Sequence, residues 1–116
     1  MTRYQALLQD AKTRIRETGI EALRAGQAGG LLVDVREPAE WEAGHIVGAT
    51  PLPRGILEGK IEDLASDPDQ PIVLYCASGG RSALAADSLQ RMGYRNVLSL
   101  AGGFKAWQEA GYPVEH

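Results

Sequence analysis

The stretch "PIVLYCASGGRSALAADSLQRM", residues Pro71–Met92, decides how this chain is organised. It passes from an apolar run of strand length, through a loop with two adjacent glycines, into a helical segment. There Ala83, Ala85 and Ala86 are small enough for close packing. A buried strand feeding a helix through a short loop is the building block of a parallel sheet. The same loop holds Cys76, the only cysteine among 116 residues, five positions before Arg81.

Outward from this unit, the pattern alternates between helix and strand. Residues 4–17 place Leu7, Leu8, Ala11 and Ile15 at helical spacing, and Gly19 closes the run. A short helix over Glu21–Ala25 ends in "GQAGG", and "LLVDV" (31–35) is an apolar strand. Pro38 can open the next helix and Gly44 can end it. "HIVGATPLP" reads as one short strand, residues 56–65 as a helix, and "SDPDQP" as a turn. "IVLY" (72–75) is the central strand, followed by a helix over 82–92, a strand over 96–100 and a helix over Phe104–Ala110. The fold class is therefore α/β, a mainly parallel central sheet with helices on both faces. Residues 1–18 are expected to form a helical extension, and residues 19–116 the domain proper. Ligands of such sheets sit at the carboxyl ends of the strands, where Cys76, Asp34 and Arg36 all lie.

Composition narrows the function. A net charge of −3 lacks the basic face that nucleic-acid binding needs. No apolar run is long enough to span a membrane or serve as a signal-peptide core, so a cytoplasmic location is expected. One cysteine makes no intrachain disulfide, and two distant histidines make no structural zinc site. A monomer needing neither metal nor organic cofactor is the expectation.

The loop "CASGGRS" can do more than pack. Glycines 79 and 80 let successive N–H groups converge into a nest, and the helix that follows adds its positive end. A thiolate at such a nest is stabilised, and Arg81 adds a cation with a planar donor fork. The constellation describes a nucleophile facing an anionic substrate or intermediate. A buried structural cysteine is the plain alternative, but it explains neither the glycines nor the arginine. A nucleotide-binding P-loop is excluded, because Arg81 and Tyr75 stand where lysine and the first glycine are required. A cysteine phosphatase or arsenate reductase uses the same ingredients. Its loop has one more residue between cysteine and arginine than the four here, and the smaller ring suits one extra sulfur better than a phosphate. A phosphatase also needs a general acid, and no aspartate is an obvious candidate.

The two halves together resemble the rhodanese-like sulfurtransferases. The Cys-x-x-Gly-x-Arg-Ser loop matches at Cys76, Gly79, Arg81 and Ser82, and "LAGGFKAWQEAGYPV" matches at Gly102, Gly103, Trp107, Gly111, Tyr112 and Pro113. "LLVDVREPAEWEAGHIVGATPLP" carries the family's other signature, and the likeness covers about residues 20–114. Val47 stands where proline is usual, and the uncharged Ala77 and Ser78 leave the preference for thiosulfate open.

The resemblance implies a rhodanese-like fold and a sulfane sulfur carried on Cys76 from thiosulfate or a related donor. The acceptor would be thiophilic: cyanide, a thiol or a sulfur-carrier protein. The backbone of residues 77–82 (Ala77, Ser78, Gly79, Gly80, Arg81 and Ser82) would hold the persulfide. Arg81 would either bind the donor's oxyanion or, the favoured reading, brace the loop; Ser82 is read as the helix N-cap, and Asp34 with Arg36 as a local ion pair supporting the site. His45 is expected to bond backbone, and Trp41 and Trp107 to face the core. A non-catalytic binding module of the same family is the alternative.

Overall fold

The computed structural model describes residues 1–116. On β5 (Ile72–Tyr75), Ile72 and Leu74 enter one apolar cluster and Val73 and Tyr75 another, all 1% exposed or less. A strand with no solvent face has to be central. On one side of β5 lie β6 (Val97–Leu100) and then β1 (Arg16–Thr18). On the other lie β2 (Leu31–Asp34) and β4 (Thr50–Pro51), and every pairing in this five-stranded sheet is parallel.

The helices α4 (Leu57–Leu64) and α5 (Gly80–Arg91) cover one face through Leu57, Ile61, Ala85, Ala86 and Leu89. The other face is covered by α2 (Ile20–Arg24) and α6 (Gly103–Glu109) through Ile20, Leu23, Phe104 and Trp107. The expected α/β architecture is present, a parallel central sheet with helices on both faces. No helix is long and apolar enough to cross a membrane.

Two expectations are corrected. The first helix, α1 (Arg3–Lys12), stops well before residue 17, and Arg16–Thr18 pair with Leu98–Leu100 as an edge strand. Helical spacing through Ile15 misled here, because Ile15 packs against the core from the turn that leads into the strand. "HIVGATPLP" also splits in two. After α3 (Pro38–Ala43), His45–Ile46 form β3, which pairs antiparallel with β7 (Val114–Glu115), and only Thr50–Pro51 join the main sheet.

The N-terminal helix lies along α5 and runs in the same direction. At its far end Arg14 donates from Nε and Nη2 to the two Asp87 carboxylate oxygens, both at 2.9 Å, and Gln90 donates to the Arg14 carbonyl at 2.9 Å. At its start, Tyr4 places its hydroxyl against Gly80, beside the Cys76 loop. Residues 1–18 should therefore be separable in unequal parts. Deleting 1–13 should leave a cooperative thermal melt at reduced temperature. Deleting 1–18 also removes β1 and bares the edge of β6, so its melt should fall further or lose cooperativity. Equal melts for the two truncations would contradict the role given to β1.

Candidate active site

Cys76 follows β5 directly and is 1% exposed, while Ala77 is half-buried and Ser78 exposed. Strand alternation puts its side chain on the α5 face, in the cluster of Ile72 and Leu74. Its sulfur is the focus of the loop. The Gly79 N–H donates to Sγ at 3.1 Å and the Ser82 N–H at 3.4 Å, while the thiol faces the Ser82 hydroxyl at 3.6 Å.

The first two carbonyls of the loop are held away from the sulfur. The Phe104 N–H donates to the Cys76 carbonyl at 2.8 Å and the Lys105 N–H to that of Ala77 at 2.9 Å. This first turn of α6 can come so close only at Gly103, where a Cβ would lie 2.5 Å from the Cys76 oxygen. Gly103 also has a φ of +56°, so glycine is required there twice over.

The glycine pair in the loop divides differently from expectation. Gly79 has a φ of +107° and caps α5. Gly80 is an ordinary first helical residue with no positive φ, and only the tip of Tyr4 crowds it. Gly79 alone supplies the backbone freedom. Ser82 is likewise not the N-cap: it lies inside α5, with its hydroxyl 3.3 Å from the Gly79 carbonyl and 2.8 Å from the Ser99 hydroxyl.

Arg81 does not point its fork at an open anion site. Its Nη1 and Nη2 donate to Glu40 Oε1 and Oε2 at 2.7 and 3.0 Å, which ties the loop to α3. The Arg81 hydrogen bonds hold the Glu40 carboxyl at about 2, far below the usual carboxylate range, and Glu40 in turn raises the guanidinium. Glu40 was not among the residues singled out from sequence. Its signal was a glutamate three residues after Glu37, a capping box completed by the Glu37 N–H to Glu40 Oε1 bond at 3.0 Å.

Asp34 and Arg36 form a buried local pair, with Arg36 Nη2 2.7 Å from Asp34 Oδ2 and 2.7 Å from the Gly44 carbonyl. The Arg36 guanidinium lies 4.3 Å from the centre of the Phe104 ring and 5.6 Å from that of Tyr75, so the pair reaches the Cys76 loop through those two rings. His45 Nδ1 bonds the Trp41 carbonyl at 3.0 Å, and the two rings stack at 3.4 Å. Trp107 is in the core, but Trp41 is half-buried against His45 and is not. None of the molecule's surface clefts is lined by Cys76.

The sequence profile of the rhodanese-like domain matches residues 18–110. A protein named sulfurtransferase from Allochromatium vinosum is 42% identical over 84 residues, 72% of this chain and 77% of that one. Thiosulfate sulfurtransferase GlpE of Pseudomonas entomophila is 38% identical over 95 residues, 82% of this chain and 84% of that one. Among solved structures, RPA3614 of Rhodopseudomonas palustris superposes with a TM-score of 0.82 at 37% identity. The match covers 99% of this chain and 96% of that one, which is described as a protein of unknown function and possible tyrosine phosphatase.

Two expectations follow from the geometry. Gly79→Ala should cost about 1–2 kcal/mol from the left-handed backbone, whereas Gly80→Ala should stay within about 0.5 kcal/mol because Tyr4 can swing aside; urea unfolding ranks them. The Glu40–Arg81 pair depresses the folded-state carboxyl, so its stabilisation is complete above the ordinary carboxylate range and fades as pH falls towards 2. Both side chains are about a third exposed (35% and 37%), so the effect is small. The stability gap between wild type and Glu40→Gln should be constant above about pH 5 and close below it; a gap independent of pH would contradict this.

Proposed function

The chain belongs to the rhodanese-like domain family, and we propose that it is a sulfurtransferase whose Cys76 carries the transferred sulfur as a persulfide. The observation that carries this reading is the pair of backbone N–H donors, from Gly79 and Ser82, converging on Sγ. The Cys76 thiolate attacks the outer sulfur of thiosulfate. The new S–S bond forms as the old one breaks, and the electron pair of the old bond leaves with sulfite. A thiophilic acceptor then attacks the terminal sulfur and returns Cys76 as the thiolate. With cyanide the product is thiocyanate, so the cycle consists of two displacements and needs no proton donor. The persulfide's charge lies on its outer sulfur, where the backbone amides of residues 77–82, with those of Gly79 and Ser82 already turned to Sγ, act as a preorganised anion hole.

The surroundings favour a donor and acceptor that come to the surface. Cys76 lines no cleft, and the adjoining Ala77 and Ser78 add no charge. Small donors and the terminus of a sulfur-carrier protein both suit a shallow nest. Arg81 braces the loop in this reading, since its fork is filled by Glu40.

A cysteine phosphatase is the second reading, raised by the description of the Rhodopseudomonas palustris protein. Three features argue against it. The loop is one residue short for a phosphate. The arginine fork that would grip phosphate already holds a carboxylate, which would repel it. Glu40, held at about 2, is ionised at neutral pH and is no general acid. A binding module without turnover leaves the intact Cys-to-Arg loop unexplained.

Incubation with thiosulfate, mercaptopyruvate or a small-molecule persulfide should add one sulfur atom to the intact mass. Cyanide should remove it as thiocyanate, and Cys76→Ser should do neither. A protein that stays unmodified with all three donors is not a sulfurtransferase; hydrolysis of an aryl phosphate in its place would establish the phosphatase reading.

A further inference from the structure

Ser99 breaks an otherwise apolar strand. In β6 its neighbours Val97, Leu98 and Leu100 all pack into the two cores, yet Ser99 is 0% exposed and faces α5 beside Leu74 of β5. A buried hydroxyl in such a place is costly unless it is hydrogen-bonded. The single partner of Ser99 Oγ is Ser82 Oγ, at 2.8 Å, and Ser82 is the hydroxyl that faces Cys76 Sγ.

Counting protons assigns the direction of that bond. Each hydroxyl has one proton to give and two lone pairs. If Ser82 donated to Ser99, the Ser99 proton would have no acceptor. With Ser99 as donor, every group is satisfied. Ser82 accepts from Ser99 and keeps its own proton for either the Gly79 carbonyl at 3.3 Å or Sγ at 3.6 Å. In the thiol form, S–H donates to Ser82 and Ser82 donates to Gly79. In the thiolate form, the Ser82 proton turns to the sulfur. Once the charge moves to the outer atom of a persulfide, it turns back.

We propose that Ser99 is a positioning residue of this site: by donating to Ser82 it holds that hydroxyl in place and strengthens it as a donor, so that the single Ser82 proton follows the charge on Cys76. The proposal rests on Cys76 being the nucleophile, but its test does not depend on sulfur transfer. The charged and titratable groups packed around the loop are the Arg81–Glu40 pair from α5 and α3 and the Arg36–Asp34 pair behind Phe104. Lys105 of α6, Tyr4 of α1 and the buried Tyr75 complete the set. Beside Ser99 itself, Glu17 of β1 stands opposite it in register and pairs with Lys12 at 3.8 Å. None of these groups is hydrogen-bonded to the Ser99 hydroxyl, whose one partner is Ser82.

The experiment is the pH dependence of Cys76 alkylation by iodoacetamide, in wild type and in Ser99→Ala, Ser99→Val and Ser99→Thr. Valine and threonine have the same shape and differ in the hydroxyl. Alanine and valine should move the alkylation midpoint up by about half to one pH unit, the scale of one hydrogen bond. Threonine should keep it near wild type. Because Ser99 acts through Ser82, Ser82→Ala should shift the midpoint at least as far, and adding Ser99→Ala to it should change nothing further. An unmoved midpoint in Ser99→Ala and Ser99→Val, equal shifts in threonine and valine, or additive shifts in the double variant would each overturn the proposal. Should either apolar variant fail to fold, the other and the Ser82 cycle still decide. Sulfur loading followed by mass on the same proteins is read separately, so a failure of the sulfurtransferase reading leaves the alkylation result standing.

Discussion

Two amide hydrogen bonds, from Phe104 and Lys105 to the carbonyls of Cys76 and Ala77, set the orientation of everything at the site. A peptide plane that turns its oxygen towards α6 turns its N–H the other way. With the Cys76 and Ala77 carbonyls engaged, the chain leaves the strand on a fixed course into Gly79, whose amide meets the sulfur together with that of Ser82. An ordinary backbone bond contributes about 1 kcal/mol to stability, so the importance of this pair lies in direction more than in strength. It exists only because Gly103 has no side chain to hold α6 away.

Around that turn the charges are closed into pairs. Arg81 meets Glu40, Arg36 meets Asp34, and Arg14 meets Asp87. The pairs anchor different neighbours of the loop: α3 on one side, the end of β2 behind Phe104, and α1 along α5. Each ion pair therefore positions backbone and leaves little uncompensated charge near the sulfur. What faces the Cys76 sulfur is a pair of N–H dipoles at the start of α5, which do not titrate.

The short helix α3 links these features. Its Glu40 holds Arg81, and the carbonyl of Gly44, where α3 ends, accepts from Arg36. One element of six residues thus ties the ends of β2 and β5 together at the carboxyl edge of the sheet, where a parallel sheet leaves room for a ligand.

Local pattern was enough to place the apolar strands, most helices and the Cys76 loop, because buried strands and helix ends are dictated by neighbours in the chain. The resemblance carried by "CASGGRS" and "LAGGF" named the family from the same short-range information. What short range could not carry was pairing across the chain. Arg16–Thr18 look like a helix end until β6 offers a partner, and His45–Ile46 become a strand only when the C-terminus returns to meet them. Gly79 and Gly80 are indistinguishable as letters; the fold gives one a left-handed backbone and the other a helical one. Glu40 and Ser99 stand 36 positions before and 23 positions after Cys76. They enter the site because α3 and β6 are brought beside the loop, and a hydrogen bond depends on distance in space rather than separation in sequence.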